Sequence, residues 1–208
     1  MPFLEQDDMR EVGKEFARGL GKTPDEALRQ LGRSRREHYD IFLSQTIRDA
    51  EIVLGVYSVL TNMGHAVFCD WLEAPSPSRD EVTPANAEFI RDTMRISDAL
   101  LFLDTQNADQ SLWMCWELGW FDAAKGLVAI LPVLRKETKS YRQREFLGLY
   151  PYVEVTEEWK LKIVRPNVRG PNGITIFEAP NSRPFNVWRK HPDDPMRPRT
   201  PGYANRRF

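Results

Sequence analysis

The chain has 208 residues, of which 41% are hydrophobic and 11% aromatic, and this apolar content excludes a disordered solvating chain. Its length fits one packed domain with flanking additions. The 29 basic and 30 acidic residues give a formal net charge of −1, which leaves no global field to attract nucleic acid or an anionic membrane.

Residues 1–37 are predicted to form an N-terminal helical extension. Residues 3–31 have a helical pattern, and Thr23-Pro24-Asp25-Glu26 is typical of a capping box with proline at the first helical position. Gly21-Lys22-Thr23 resembles the end of a phosphate-binding loop. However, Phe16 stands where that motif needs its first glycine, and no strand precedes the loop. We therefore expect no phosphate site here.

Between residues 38 and 157, short apolar runs alternate with helical periods. The apolar runs predict strands at residues 39–44, 65–69, 99–103, 127–131 and 152–155, and the helical periods predict helices at 49–63, from 83 onward and at 111–125. Such alternation implies parallel strands joined by helical crossovers, hence an α/β domain with a doubly wound, five-stranded parallel sheet. Ligands of these sheets bind outside the carboxyl ends of the strands, where the winding direction switches.

Residues 158–208 are predicted to be an addition that packs on the domain or trails from it. Residues 160–164 and 174–177 flank a turn sequence with two glycines and a proline, which predicts a β-hairpin. Residues 181–208 contain five prolines and seven basic residues against two acidic ones, which is typical of an extended surface tail. A basic tail could bind nucleic acid, but the domain as a whole is not basic, so we do not expect that partner.

The cysteine and hydropathy patterns indicate a cytoplasmic protein. Cys69 and Cys115 are isolated, which suits a reducing compartment. The first ten residues carry acidic groups and no secretion signal, and no later stretch approaches the ~20 apolar residues of a membrane helix. His38, His65 and His191 lack metal-ligand spacing, so no metal site is expected.

The helix predicted at residues 111–125 carries the residue with the most chemical interest. Trp113 and Glu117 are four residues apart and therefore share one face, with Trp120 and Phe121 on the next turn. A carboxylate among aromatic rings supplies a preorganised negative charge or a proton acceptor. The alternative is that Glu117 points to solvent or pairs with an arginine while the aromatic rings fill the core, as helical aromatic stripes usually do.

The place of this helix in the chain favours a site. It follows the third strand, so its first turns face the strand-end crevice together with the loops that follow the first two strands. Those loops begin with Ser44-Gln45-Thr46 and with Asp70-Trp71. Hydroxyl, amide, carboxylate and indole groups would then converge on one cleft, as a nucleotide site requires.

Four segments between residues 39 and 155 match one known family in order and spacing. They are Asp40-Ile41-Phe42-Leu43-Ser44, Gly64-His65-Ala66-Val67-Phe68-Cys69-Asp70, Ile96-Ser97-Asp98-Ala99-Leu100 and Ser111-x-Trp113-x-x-x-Glu117-Leu118. Together they resemble the TIR (Toll/interleukin-1 receptor) domain family, and within it the bacterial stand-alone, NAD-consuming type. The resemblance implies a flavodoxin-like sheet and cleavage of NAD+ at its nicotinamide–ribose bond, with Glu117 as the catalytic residue.

The resemblance also implies the rest of the site and its partners. NAD+ is the substrate, no further cofactor is needed, and the residues that bind it are Ser44, Gln45, Thr46, Asp70, Trp71 and Trp113. The expected protein is an NAD+ glycohydrolase or cyclase that makes an ADP-ribose-derived signal in bacterial antiviral defence. It would self-associate through TIR contacts and act with a separate sensor or effector protein. Two other functions share the fold and stay open: a non-catalytic TIR–TIR interaction module, and a nucleoside or nucleotide N-glycosidase or deoxyribosyltransferase.

Overall fold

A mostly parallel sheet lies at the centre of the computed structural model, which describes residues 2–33, 35–46, 49–69, 83–105, 111–138, 141, 145–165, 168–169, 175–176 and 181–197. Its strands are β1 (Leu4–Glu5), β2 (Tyr39–Ser44), β3 (Val67–Cys69), β4 (Ser97–Asp104), β5 (Val128–Leu134), β6 (Tyr152–Val155), β7 (Leu161–Val164) and β10 (Ser182–Pro184). Two further strands, β8 (Val168–Arg169) and β9 (Thr175–Ile176), form a separate pair.

The five strands predicted from the apolar runs are confirmed as β2 to β6. They pair in parallel in the order β3-β2-β4-β5-β6, which is the flavodoxin-like order 2-1-3-4-5. The chain leaves β2 for β3 on one side and returns for β4 on the other. The winding direction therefore switches between β2 and β4, and this switch point is where such sheets bind ligands.

Helices cover both faces of the sheet. They are α1 (Gln6–Gly19), α2 (Pro24–Arg33), α3 (Ala50–Asn62), α4 (Pro84–Arg95), α5 (Leu112–Ala124) and α6 (Phe185–Trp188). Because parallel crossovers are right-handed, the switch point puts α3 on one face and both α4 and α5 on the other. No helix within these described ranges combines the length and the apolar character needed to cross a membrane.

Side-chain caps fix where three of these helices begin. Thr83 and Ser111 each accept a hydrogen bond from a backbone N–H three residues later, at Asn86 and Met114 respectively. The predicted capping box is also confirmed, because the Thr23 hydroxyl accepts from the Glu26 backbone and the Glu26 carboxylate accepts from the Thr23 backbone. The sequence thus determines the helix starts locally.

The N-terminal helices form part of the core. Helix α1 crosses α3 so closely that a Cβ atom on Gly13 would lie 2.0 Å from the Glu51 carbonyl oxygen, and one on Gly55 would lie 1.9 Å from the Met9 carbonyl oxygen. Helix α3 is therefore buried on its outer side as well, at Val53 for example. This contact makes the extension an integral layer of the domain.

The predicted C-terminal hairpin is wrong in its pairing. Strand β7 pairs antiparallel with β6 on one side and with β10 on the other, whereas β9 pairs with β8. The physical reason is burial: Leu161 and Ile163 alternate with polar residues, and adding β7 to the edge of the main sheet buries both side chains.

The first part of the predicted tail is also packed. Phe185, Trp188 and Met196 are each at most 1% exposed. The high proline and arginine content of the segment predicted an extended surface tail, and the burial of these three apolar side chains was therefore not predicted. Residues 198–208 lie outside the described part of the chain.

Candidate active site

Glu117 lies on the inner face of α5, which packs over β2, β4 and β5. Its side chain is only 1% exposed, and it shares the inner face with Met114, Leu118 and Phe121, which are also buried. These positions follow the spacing i, i+3, i+4, i+7 of a core-facing stripe. The alternative in which Glu117 points to solvent is therefore wrong, and the stripe contains one carboxylate in an otherwise apolar row.

The Glu117 carboxylate reaches the carboxyl end of the first parallel strand. The hydroxyl of Ser44 donates a hydrogen bond of 2.5 Å to Glu117 Oε2. Ser44 is the last residue of β2 and is fully buried. The structure thus brings together two of the residues selected from the sequence, beside the switch point of the sheet.

The tryptophans of α5 take a different position from Glu117. Trp113 is half-buried and stacks on Trp116, with ring centroids 4.7 Å apart and an interplanar angle of 24°. The guanidinium group of Arg91, on α4, lies 5.4 Å from the Trp116 ring centroid. The two indoles therefore line the flank of α5 that faces α4, and the fully buried aromatic residue of the helix is Phe121.

The remaining predicted site residues divide into two groups. Gln45 and Thr46 continue from the end of β2, with Gln45 half-buried and Thr46 buried. The backbone of Thr46 accepts a hydrogen bond from the Asp49 N–H, which connects this turn to the start of α3. Asp70 and Trp71, the other two, lie outside the described residues.

A second group at the carboxyl edge was missed in the sequence. Asp104 ends β4 and accepts a 2.8 Å hydrogen bond from the hydroxyl of Tyr141, while the next residue, Thr105, donates its hydroxyl to the carboxylate of Asp49. Asp104, Thr105 and Asp49 are buried. The signal that selected Ser44, a polar residue directly after a buried strand, would also have found Asp104 and Thr105. Tyr141 had no such signal, because only the tertiary fold brings it there.

Strand register places Asp104 on the same side of the sheet as Glu117. Ser44 pairs with Phe102 on the neighbouring strand, so their side chains point to the same face, which is the face that carries α5. Asp104 is two residues beyond Phe102. Its side chain therefore points to that face too, about 6.6 Å farther along the strand. Two carboxylates thus lie across the switch point from one another.

The opposite ends of β2 and β4 hold a different cluster. His38 Nε2 lies 2.8 Å from Asp98 Oδ1, and the Arg189 guanidinium bonds both Asp98 and Asp40. The side chains of His38, Asp40 and Asp98 are close enough to share a cation. Arg189 already supplies the positive charge between the two carboxylates, so this is an ion-pair cluster that attaches α6 to the sheet. Burial lowers the pKa of the adjacent His65, against the opposing effect of Asp40.

The fold and the site together define a flavodoxin-like α/β domain with a buried glutamate at the carboxyl edge of its sheet. No family model matches the chain. Over 116 residues, the chain is 45% identical to a Bacillus cereus (strain MSX-D12) protein named as the probable 3′ cyclic ADP-D-ribose synthase ThsB′. The similar region covers 55% of this chain and 60% of that protein, so the chain spans about three fifths of its relative's length. This similarity and the strand order confirm the predicted resemblance to bacterial TIR domains.

Proposed function

We propose that this chain cleaves the nicotinamide–ribose bond of NAD+, with Glu117 as the catalytic residue, and releases an ADP-ribose product that includes a cyclic form. The buried hydrogen bond between Ser44 and Glu117, at the carboxyl edge beside the switch point, carries this proposal. The name of the Bacillus cereus relative supports the product class. A 3′ cyclic ADP-ribose is what NAD+ becomes when nicotinamide leaves and a ribose hydroxyl of the same molecule replaces it.

The chemistry requires a negative charge at a fixed place. Nicotinamide leaves as a neutral base from a cationic ring, so the ribose carbon acquires oxocarbenium character in the transition state. A carboxylate beside that carbon stabilises the developing positive charge, as in glycoside hydrolysis. Burial of Glu117 strengthens this electrostatic interaction, because the local dielectric is far below that of water.

Ser44 contributes by holding the carboxylate. Its hydroxyl donates to one Glu117 oxygen and thereby restricts the rotation of the carboxylate. The charge is then oriented before the substrate arrives, which removes a reorganisation cost from the reaction. To Ser44 we add Gln45, Thr46, Asp70, Trp71 and Trp113 as the residues that we assign to NAD+ binding. NAD+ is the substrate, and no step is assigned to another cofactor.

We extend the proposal to assembly. The outer side of α5 presents Leu112, which is 88% exposed, next to the half-buried rings of Trp116 and Trp120. Apolar surface of this kind is what protein interfaces bury. The apolar surface of α5 supports self-association. We propose in addition that a separate sensor or effector protein regulates the chain in antiviral defence, and that it acts in the cytoplasm, where NAD+ is available.

Nicotinamide release tests the proposal. Purified protein is incubated with NAD+, alone and with a molecular crowding agent, and free nicotinamide is followed for wild type, Glu117→Gln and Glu158→Gln. Glu158 is an exposed glutamate paired with Lys160, so it is the matched control. We expect Glu117→Gln to lose about 10²–10³-fold in rate, as happens when a preorganised transition-state contact is removed, while Glu158→Gln retains the wild-type rate.

The same assay separates the two other functions. No nicotinamide under either condition would point to a non-catalytic interaction module, and equal rates for wild type and Glu117→Gln would remove Glu117 from the mechanism. Release of free base from deoxynucleosides, without release from NAD+, would indicate an N-glycosidase or deoxyribosyltransferase.

A further inference from the structure

A second carboxylate, that of Asp104, lies at the carboxyl edge on the same face of the sheet as Glu117. We infer that Asp104 accepts the proton of the ribose hydroxyl that attacks the nicotinamide ribose, and that Tyr141 positions the Asp104 carboxylate. This inference rests on the proposed cleavage of NAD+. It concerns the next step, in which the product becomes cyclic rather than linear.

Strand register places two carboxylates on one face of the sheet, at the ends of adjacent strands. Glu117 meets Ser44 at the end of β2, and Asp104 ends the adjacent strand on the same face of the sheet. Cyclisation joins two riboses of one molecule, so both must lie at the switch point at the same time. A group that serves the first ribose and a group that serves the second must therefore lie near one another, and the ends of two adjacent strands on one face meet that requirement.

The step balances with a carboxylate as the proton acceptor. The bond from the ribose carbon to the nicotinamide nitrogen breaks, and the electron pair leaves with nicotinamide. The oxygen of the second ribose, the 3′ hydroxyl in a 3′ cyclic product, forms a bond to that carbon. Its proton passes to Asp104 and then to solvent, so that NAD+ gives cyclic ADP-ribose, nicotinamide and one proton. Positioned bases of this kind contribute about 10²–10⁴-fold.

Tyr141 is held in place to orient this carboxylate. Its hydroxyl donates to Asp104 Oδ2 at 2.8 Å. Its ring lies against Phe3 and Tyr152, with centroid distances of 6.0 Å and 5.7 Å. Phe3 directly precedes β1, which pairs with the carboxyl end of β5. The N-terminal strand thus forms a wall of the carboxyl edge and fixes the tyrosine.

The neighbouring carboxylate of Asp49 has a structural explanation instead. Asp49 is the N-cap residue of α3, where the helix dipole favours a negative charge, and its carboxylate accepts from the Thr105 hydroxyl. Asp104 ends a strand and accepts a hydrogen bond from the Tyr141 hydroxyl, so its carboxylate is oriented by a side chain at the carboxyl edge rather than by a helix terminus.

The ratio of cyclic to linear ADP-ribose tests this inference. The full chain is incubated with NAD+, and both products and nicotinamide are separated by chromatography for wild type, Asp104→Asn, Tyr141→Phe and Asp49→Asn. We expect Asp104→Asn to lower the cyclic-to-linear ratio about tenfold or more, and by a larger factor than the rate of nicotinamide release. Tyr141→Phe should lower the ratio by a smaller factor, and Asp49→Asn should keep the wild-type ratio.

The outcomes separate this inference from the proposed function. If Asp104 has a purely structural role, Asp104→Asn will lower the melting temperature and slow nicotinamide release without changing the product ratio. That result would overturn this inference and leave the proposed function standing. Asp49→Asn could instead lower the cyclic-to-linear ratio by the factor expected for Asp104→Asn. That result would assign the role of proton acceptor to Asp49. Wild-type protein that makes only linear ADP-ribose would end the inference and leave cleavage standing, whereas no nicotinamide release at all would overturn both. If Asp104→Asn fails to fold, Tyr141→Phe decides the question.

Discussion

The amino ends and the carboxyl ends of the parallel strands form two edges of the sheet, and both edges hold buried or half-buried carboxylates. The two edges differ in the groups that bond those carboxylates. At the amino edge, Asp40 and Asp98 bond the guanidinium of Arg189. At the carboxyl edge, the carboxylates of Glu117, Asp104 and Asp49 accept hydrogen bonds from the hydroxyls of a serine, a tyrosine and a threonine. A guanidinium group offsets the charge of a carboxylate, whereas a hydroxyl group restricts its rotation. This difference fits the proposed function, in which Glu117 is an oriented carboxylate beside a cationic transition state.

The largest expected effect is on the rate of nicotinamide release, and a matched pair of isosteric variants compares the two edges. Glu117→Gln removes a charge from the carboxyl edge and should lower nicotinamide release about 10²–10³-fold, with the free energy of unfolding unchanged or increased, because a buried charge is costly. Asp98→Asn removes a charge from the amino edge and should lower the free energy of unfolding while the rate per folded molecule stays at the wild-type level. Steady-state kinetics of both variants measure the rate, and urea unfolding measures the free energy of unfolding. A loss of activity in both, with stability unaffected, would break the comparison.

The next effect concerns the arginine that the amino edge depends on. Arg189→Met leaves the carboxylates of Asp40 and Asp98 facing one another without their shared guanidinium. We expect a loss of about 2–3 kcal/mol in unfolding free energy, below the range for fully buried pairs, because these side chains retain 16% to 30% exposure. Urea unfolding measures the loss. Replacing both aspartates by asparagine in the same variant should restore much of it, and no restoration would show that α6 is held by packing alone.

Sequence patterns predicted what local rules control. The five parallel strands followed from apolar runs, the start of α2 from its capping box, the helices α3 to α5 from helical periods, and the position of Glu117 from its helix and the strand before it. These features depend on residues a few positions apart. Periodicity and capping therefore suffice to find them.

Long-range contacts escaped prediction for the opposite reason. The crossing of α1 and α3 depends on Gly13 and Gly55, which are 42 positions apart and look like ordinary helix-weakening glycines in the sequence. The Asp104–Tyr141 hydrogen bond spans 37 positions. Strand β7 could equally have paired with the apolar run after it, and only its burial against β6 decided the outcome.

A smaller effect tests whether hydroxyl donors serve the carboxyl edge by orientation. Ser44→Ala removes the hydrogen bond to Glu117 and keeps the charge. We expect about a tenfold loss in the rate of nicotinamide release and about 1–3 kcal/mol in stability, because the variant removes a donor from a buried carboxylate. Steady-state kinetics should place the loss in kcat rather than KM. Ser58→Ala, a buried serine in the middle of α3, is the control. A rate equal to wild type would mean that Ser44 does not orient the carboxylate.

The smallest effect is a pH dependence at the amino edge. Burial lowers the pKa of His65 below its ordinary value of 6.5, although Asp40 acts in the opposite direction. The folded state then binds its proton less readily than the unfolded state, so this histidine contributes stability that is present above pH 6.5 and is lost as the pH falls from there towards the folded pKa. His65→Gln should flatten the decline in unfolding free energy over that interval, and His191→Gln, at an exposed position, is the matched control. Urea unfolding between pH 7 and pH 5 in steps of about half a unit measures the slope, which follows the difference in bound protons. An unchanged slope in His65→Gln would assign the acid sensitivity of this edge to its aspartates instead.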